Sequence, residues 1–258
     1  PFASSFDEAQ RQEVLALVGQ RVLLQTAGSF NSCHAEVFDA ALLPAPEQAR
    51  LLAHKAVPAV EVVTPRVAGA FVEDVADLDV ADRDIVGGKA ANYSVLRDAI
   101  ADNAPDAAAV TFDAYDAFFA DADVDVDSVM DAIGSGAAVD AATALQQLPA
   151  LRQQVEAHRL NATDAATLLA ALAAKFDPNV KLRFRSSTNA EDGERFTAAG
   201  LYDSFSGCLA DDLDDDDDGP ARCNPDQDDE RGALRAMARV YASFFNDNAV
   251  LERRRREI

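Results

Sequence analysis

Apolar and polar positions along the chain change period several times, and each change marks an element. Phe6, Val14, Leu15, Leu17 and Val18 stand among charged residues and predict a short amphipathic helix within residues 5–20. Arg21 to Gln25 reads as a strand, and residues 26–35 as a loop entering a helix that runs through Ala41. A second strand candidate covers Val57 to Val63, inside a stretch punctuated by Pro44, Pro46, Pro58 and Pro65. Apolar density falls and acids crowd between Asp74 and Asp84, which predicts a boundary near residue 80. Next, Ile85 to Leu96 reads as a glycine turn feeding a helix, with Lys89 at its N-terminus.

Val110 to Phe112 predicts a short strand, and Ala114 to Ala120 a helix with Tyr115, Phe118 and Phe119 on one side. Residues 121–127, alternating acid with Ala or Val, suit a helix start or a sheet edge. From Asp140 to Lys175 the chain is rich in Ala and Leu and is broken at Pro149 and at residues 161–164, so two or three helices are expected, with Asn161 as a cap. Leu234, Met237, Val240, Tyr241, Phe244 and Phe245 follow 3, 4 spacing and mark an amphipathic helix. After residues 246–248 a shorter helix carries Arg253 to Arg256, read mainly as a basic terminal face, with a phosphate contact as the alternative. His54 and His158 read as surface residues. The whole is an α+β chain. Residues 1–80 form a small α/β segment of unknown role, and residues 81–258 a larger domain with a helical insert at 137–176 and an acidic loop at 207–228.

Composition narrows the partners. The 258 residues hold 45 acidic side chains against 23 basic ones, which argues against nucleic acid or an anionic membrane as a bulk electrostatic partner. No apolar run is long enough to span a membrane. Pro1 is not an initiator, so the true start is expected upstream. Lysine occurs only at Lys55, Lys89, Lys175 and Lys181, a scarcity that suits either a salt-adapted surface or GC-rich coding. Any bound phosphate therefore needs a local basic site.

Two stretches offer one. Val180 to Ser206 is an alternating run ending in Arg185, then hydroxyls at Ser186 and Ser187, acids at Glu191 and Asp192, and a small-residue turn from Ala198 to Gly200 before Ser204. Small residues free backbone N–H groups, hydroxyls bond phosphate oxygens, and Arg presents a planar fork to them. A solvated turn between strands is the simpler alternative. Gly87, Gly88 and Lys89 open a helix whose N-terminus favours anions, although their spacing is not that of a Walker loop. A glycine-initiated helix with a solvated lysine is the alternative there.

Asp214, Asp216, Asp218 and Gly219 reproduce the start of a Ca2+ loop, but Pro225 stands where the bidentate Glu belongs. The alternative is a solvated acid run. Cys208 and Cys223 bracket this loop, and a disulfide between them would imply an oxidising compartment.

Together and in this order, G-G-K-A-A-N at 87–92 and R-S-S-T-N-A-E-D at 185–192, with A-G-L-Y-D-S at 199–204, resemble the nucleotide-binding domain of the phosphoenolpyruvate synthase and pyruvate phosphate dikinase family. Residues 241–253 are similar to that family's following helix, and the resemblance covers roughly residues 84–258. It implies the N-terminal subdomain of an ATP-grasp fold, a cytoplasmic phosphotransferase, ATP with Mg2+ as cofactor and a small-molecule phosphoryl acceptor. It also implies that Lys89, Arg185 and the Ser186 and Ser187 hydroxyls meet the nucleotide phosphates. The Ala199–Gly200 turn would be a lid over them and Ser204 a further donor, while Glu191 and Asp192 brace the loop by bonding its backbone and Arg185. The sequence departs from the family at Gly193-Glu194, where Leu-Pro is usual, and at Asn248, where Arg is common. The Mg2+ ligands and the second ATP-grasp lobe are expected after Ile258, and no catalytic residue is assigned. The competing expectation is a non-catalytic, extracytoplasmic binding protein whose acidic loop is closed by the disulfide and holds Ca2+.

Overall fold

Short polar side chains begin several helices, as intrinsic capping preferences dictate. Asp7 accepts from Gln10 N, Asp125 from Ser128 N, Asp140 from Ala142 N and Thr143 N, and Asn161 from Thr163 N and Asp164 N. The computed structural model describes residues 7–29, 32–54, 60, 62–120, 122–193, 196–214, 219–227 and 230–258. Two compact units divide the chain, Pro1–Val57 and Pro58–Ile258.

In the first unit α1 (Glu8–Leu15) precedes an antiparallel hairpin of β1 (Val22–Ser29) and β2 (Ser32–Asp39), with Val22 opposite Asp39 and Gly28 opposite Cys33. The expected loop and helix over residues 26–41 are therefore wrong. Pairing with β1 draws Ala35, Glu36 and Val37 into a strand, because a ladder of backbone hydrogen bonds outweighs weak local propensity. α2 (Ala45–Ala53) follows, with Pro44 at its N-cap. Of the expected strand at 57–63, Val57, Pro58, Ala59 and Glu61 lie outside the described residues, and Val60, Val62 and Val63 are not in a strand.

The second unit begins with β3 (Val72–Asp74), which pairs with β4 (Ala108–Val110) across the long α3 (Arg83–Ala99). The strand expected at Val110 to Phe112 thus lies two residues earlier, and Phe112 already belongs to α4 (Phe112–Ala120). Val75, Ile85, Val86, Ala91 and Ala109 form the small core beneath α3. The larger core joins α4 and α5 (Val126–Ile133) to α6 (Ala141–Ala157) and α7 (Ala162–Lys175) through Phe118, Ile133, Leu148, Leu151 and Leu168. Pro149 lies inside α6 without ending it. His158 is half-buried, its ring edge-on to Phe118 at 4.8 Å, rather than a surface residue.

β5 (Lys181–Phe184) and β6 (Phe205–Cys208) form a third antiparallel pair, Phe184 opposite Phe205. Among the described residues all sheets are such pairs, and helices dominate, so the fold is α+β.

The short α8 (Leu209–Asp212) leads to α9 (Ala233–Ser243), which packs Met237 and Ala238 into the large core, and to α10 (Asp247–Arg255). Gly232, the N-cap of α9, has no side chain to offer. Asp211 and Asp212 cap the helix instead: Asp211 accepts from Gly232 N at 3.1 Å and from Arg222 N at 2.9 Å, and Asp212 from Ala233 N and Leu234 N. Burial pushes the Asp212 carboxyl up to about 6, against these N–H bonds, which favour its ionised form. The folded state therefore keeps a proton that the unfolded chain releases near the usual 3.8, and Asp212 costs stability as pH rises from 3.8 through 6. Unfolding titrations of Asp212→Asn and the native chain should diverge across that window in favour of the variant, by up to about 3 kcal/mol at pH 7. A stability difference that does not change with pH refutes this.

The basic terminal face also needs correction. Arg254 donates to Gly134 O and, at 3.1 Å, to Met130 O, so it satisfies carbonyls at the end of α5. Arg253 is buried and Arg256 lies over the Phe196 ring, which leaves Arg255 as the exposed member.

Candidate functional site

α3 breaks at Gly87, whose φ of 82° and ψ of 165° are open only to glycine, and helical geometry resumes at Gly88. A loop from the β5–β6 connection lies directly on this break. Gly88 N donates to Thr188 O at 2.9 Å, and Ala90 N donates to Ser187 Oγ at 2.9 Å. The two glycines are required by closeness as well as by dihedral, since a Cβ on Gly87 would meet Ser187 O at 2.5 Å and one on Gly88 would meet Glu191 O at 2.0 Å. Two of the N-terminal donors expected to attract an anion, Gly88 N and Ala90 N, are thus already engaged by the loop. Ser187 acts here as a cap on α3, with its hydroxyl turned to Ala90.

Glu191 is only 1% exposed, and its carboxylate organises the loop. One oxygen accepts from Thr188 N at 2.9 Å, while Glu191 N donates back to Thr188 Oγ1 at 3.1 Å. Its other oxygen accepts from Ser186 Oγ at 3.1 Å and from Lys89 Nζ at 2.8 Å, and Lys89 also donates to Ser186 Oγ at 3.1 Å. Glu191 thus bonds its loop's backbone, and its cationic partner among the described residues is Lys89 rather than Arg185. Asp192 has a φ of 54°, and its carbonyl accepts from Asn92 Nδ2 at 3.3 Å.

Lys89, Ser186, Glu191 and Asp192 form one wall of a cleft of about 200 Å³, and Thr197, Ala198, Ala199, Gly200 and Tyr202 the other. Ala198 and Gly200 both have positive φ, 53° and 75°, which bends the chain tightly on either side of Ala199. The amides of Ala199 and Gly200 have no hydrogen-bond acceptor among the described residues. Tyr202 stacks on Phe244 at 5.8 Å, and Arg253 donates to its hydroxyl at 3.1 Å. Burial raises the Tyr202 pKa, against the pull of Arg253, and lowers that of Arg253.

Residues 83–258 match a family model described as pyruvate phosphate dikinase, AMP/ATP-binding domain. The chain belongs to that family. No curated protein matches it. The matched region begins with α3 and contains every residue of the cleft, so in this AMP/ATP-binding domain the cleft is the candidate nucleotide site.

The sequence-predicted residues divide into two groups within the dikinase domain. Lys89, Ser186, Gly200, Glu191 and Asp192 line the cleft together. Arg185 and Ser204 do not line it. They follow β5 and precede β6, each one residue beyond the Phe184–Phe205 pair, so they flank the neck of the loop; Arg185 is exposed and makes no ion pair among the described residues. Thr197 and Tyr202 line the cleft without having been singled out, and Arg253, read only as one of four arginines on a basic face, reaches it through the Tyr202 hydroxyl. Tyr202 follows the glycine turn closely enough to have been noticed, whereas nothing local distinguishes Arg253 from its three arginine neighbours.

Cys208 and Cys223 are joined by a disulfide, with Cα atoms 5.6 Å apart. Asp214 pairs with Arg222 at 2.7 Å and approaches Arg231 at 3.9 Å. Asp216 and Asp218 lie outside the described residues. Among the described residues no group of three or more His, Cys, Asp or Glu could hold a metal ion, and no helix is long and apolar enough to cross a membrane.

Proposed function

We propose that this chain carries the ATP-binding lobe of a dikinase-type phosphotransferase, the N-terminal subdomain of an ATP-grasp fold, which passes phosphoryl from ATP toward a carrier histidine and on to a small-molecule acceptor. The observation that carries the reading is Lys89, held at the cleft by Ser186 and Glu191 within a domain of this family. One ammonium, the Ser186 and Thr197 side chains and the amides of Ala199 and Gly200, unbonded among the described residues, suit phosphate oxygens. The cleft's 200 Å³ is below the roughly 300–1,000 Å³ of a site that encloses a whole small ligand, so it suits the phosphates, with the nucleoside held elsewhere. A second lobe would supply that part together with the Mg2+ ligands. Mg2+, when bound, would neutralise phosphate charge. This chain's own contribution is to orient the phosphates and exclude water from them. Arg185 would close on the phosphates from the neck of the loop.

Calorimetric titration of the full chain with ATP and Mg2+ tests this reading. Lys89→Met and Arg185→Ala should each weaken ATP by about tenfold or more, as expected for lost charge-assisted phosphate contacts, while AMP, lacking the outer phosphates, should be little affected. Unchanged ATP affinity in both variants refutes the assignment. The Cys208–Cys223 disulfide favours a second reading, a non-catalytic extracytoplasmic binder, because such bonds persist in oxidising compartments. A native chain that does not bind ATP in the same titration would favour that second reading.

A further inference from the structure

We infer that Glu191 is a positioning residue: it fixes the ammonium of Lys89 at the cleft and so sets nucleotide affinity, although it brings a negative charge next to a phosphate site. The inference rests on the proposed ATP-binding role of the cleft.

A carboxylate as buried as Glu191 is costly unless it is paired and hydrogen-bonded. Both conditions are met, and they are met in two stages. The reciprocal bonds between Thr188 and Glu191, three residues apart, resemble a capping box and hold one carboxylate oxygen through the loop's own backbone. That leaves the other oxygen aimed at Lys89 and Ser186 whatever the lysine does. Lys89, Ser186 and Glu191 then close a ring: Lys89 donates to Ser186 and Glu191, and the Ser186 hydroxyl donates to the same Glu191 oxygen. An ammonium has three donors, and this ring uses two. Among the described residues nothing takes the third, which is left for a ligand in the cleft that Lys89 lines.

A free lysine side chain loses roughly 2 kcal/mol of rotamer entropy when it is ordered. In this ring the ordering occurs on folding, so phosphate binding does not have to supply it. The opposing effect is plain repulsion between Glu191 and phosphate. The two effects predict opposite signs for the same substitution, which makes them separable.

Glu191→Gln keeps the side chain's shape and an acceptor for Thr188 N but removes the charge. If Glu191 positions Lys89, the variant binds ATP about fivefold to tenfold more weakly despite its more positive site. If Glu191 contributes only charge, the variant binds ATP equally or more tightly, and the inference fails. A double-mutant cycle with Lys89→Met supplies a readout that a purely structural role would not move. Adding Glu191→Gln to Lys89→Met should weaken ATP little further, whereas independent, additive losses would overturn the inference. Should Glu191→Gln not fold, Glu191→Asp, which keeps the charge but withdraws it by one methylene, should likewise weaken ATP, and native affinity in it would overturn the inference. Weakening by Lys89→Met without any by Glu191 variants removes this inference alone. If Lys89→Met itself has no effect, the reading of the cleft falls as well.

Discussion

Gly88→Ala is expected to lower the melting temperature of the chain by roughly 6–12 °C, as follows from a loss of about 3 kcal/mol in a domain of this size. The added Cβ would sit 2.0 Å from the Glu191 carbonyl oxygen and 3.1 Å from its carbon. Both are backbone atoms, so no side chain can rotate aside and the whole loop has to move. Because Gly88 N also donates to Thr188 O, displacement of the loop carries Glu191 away from Lys89, and ATP affinity should fall with stability. Gly87→Ala should be worse still, since it adds a φ of 82° to a 2.5 Å approach to Ser187. Gly69→Ala is the control: its φ is 83° but nothing lies within 4 Å, so it should lose only about 1–2 kcal/mol. Scanning calorimetry of the three variants gives the order directly. Gly88→Ala melting no lower than Gly69→Ala refutes the close approach of loop and helix.

Arg253 should show a different separation of effects. It is 5% exposed and has no carboxylate partner among the described residues. Its guanidinium lies 3.5 Å above the Phe244 ring and donates to Phe244 O at 2.6 Å as well as to the Tyr202 hydroxyl. Arg253→Ala removes these contacts and leaves a cavity beside the Phe244 carbonyl and the Tyr202 hydroxyl, each short of one donor, for an expected loss of about 3–5 kcal/mol by chemical denaturation. Arg253→Met restores most of the volume and removes the cost of burying a charge, so it should lose about 1–2 kcal/mol. Both release Tyr202, which lines the cleft, and both should weaken ATP by about fivefold, the equivalent of one hydrogen bond. Equal stability losses in the two variants would mean that packing is not what distinguishes them. Unchanged ATP affinity in Arg253→Met would sever Arg253 from the site.

How much of this was legible in the sequence depends on the range of the interaction. The cap at Asn161 and the apolar spacing through Tyr241 and Phe245 involve residues within a turn or two of each other, and they read correctly. The hairpin of residues 22–39 did not, because Ala35 and Glu36 carry no strand preference and only their partners Thr26 and Gln25 impose one. His158 looked solvated until Phe118 was brought against it. Arg253, Arg254 and Arg256 looked like one charged face, and the fold gives them an aromatic ring, a helix end and Phe196 as separate destinations.

The same distinction runs through the cleft. The sequence by itself determined the chemistry available there: a lysine after two glycines, hydroxyls and acids after a strand, a small-residue turn, and a family relationship resting on their order. Tertiary structure alone decided which of these groups act together. Lys89 and Glu191 lie 102 residues apart, and their pairing exists only because the Gly87–Gly88 break admits the loop backbone to within contact of α3. That approach turned Ser187 from a ligand candidate into a helix cap and left Arg185 at the neck of the loop. A residue type states what a side chain can bond. Which bond it makes depends on the donors and acceptors that close packing leaves within about 3 Å of it.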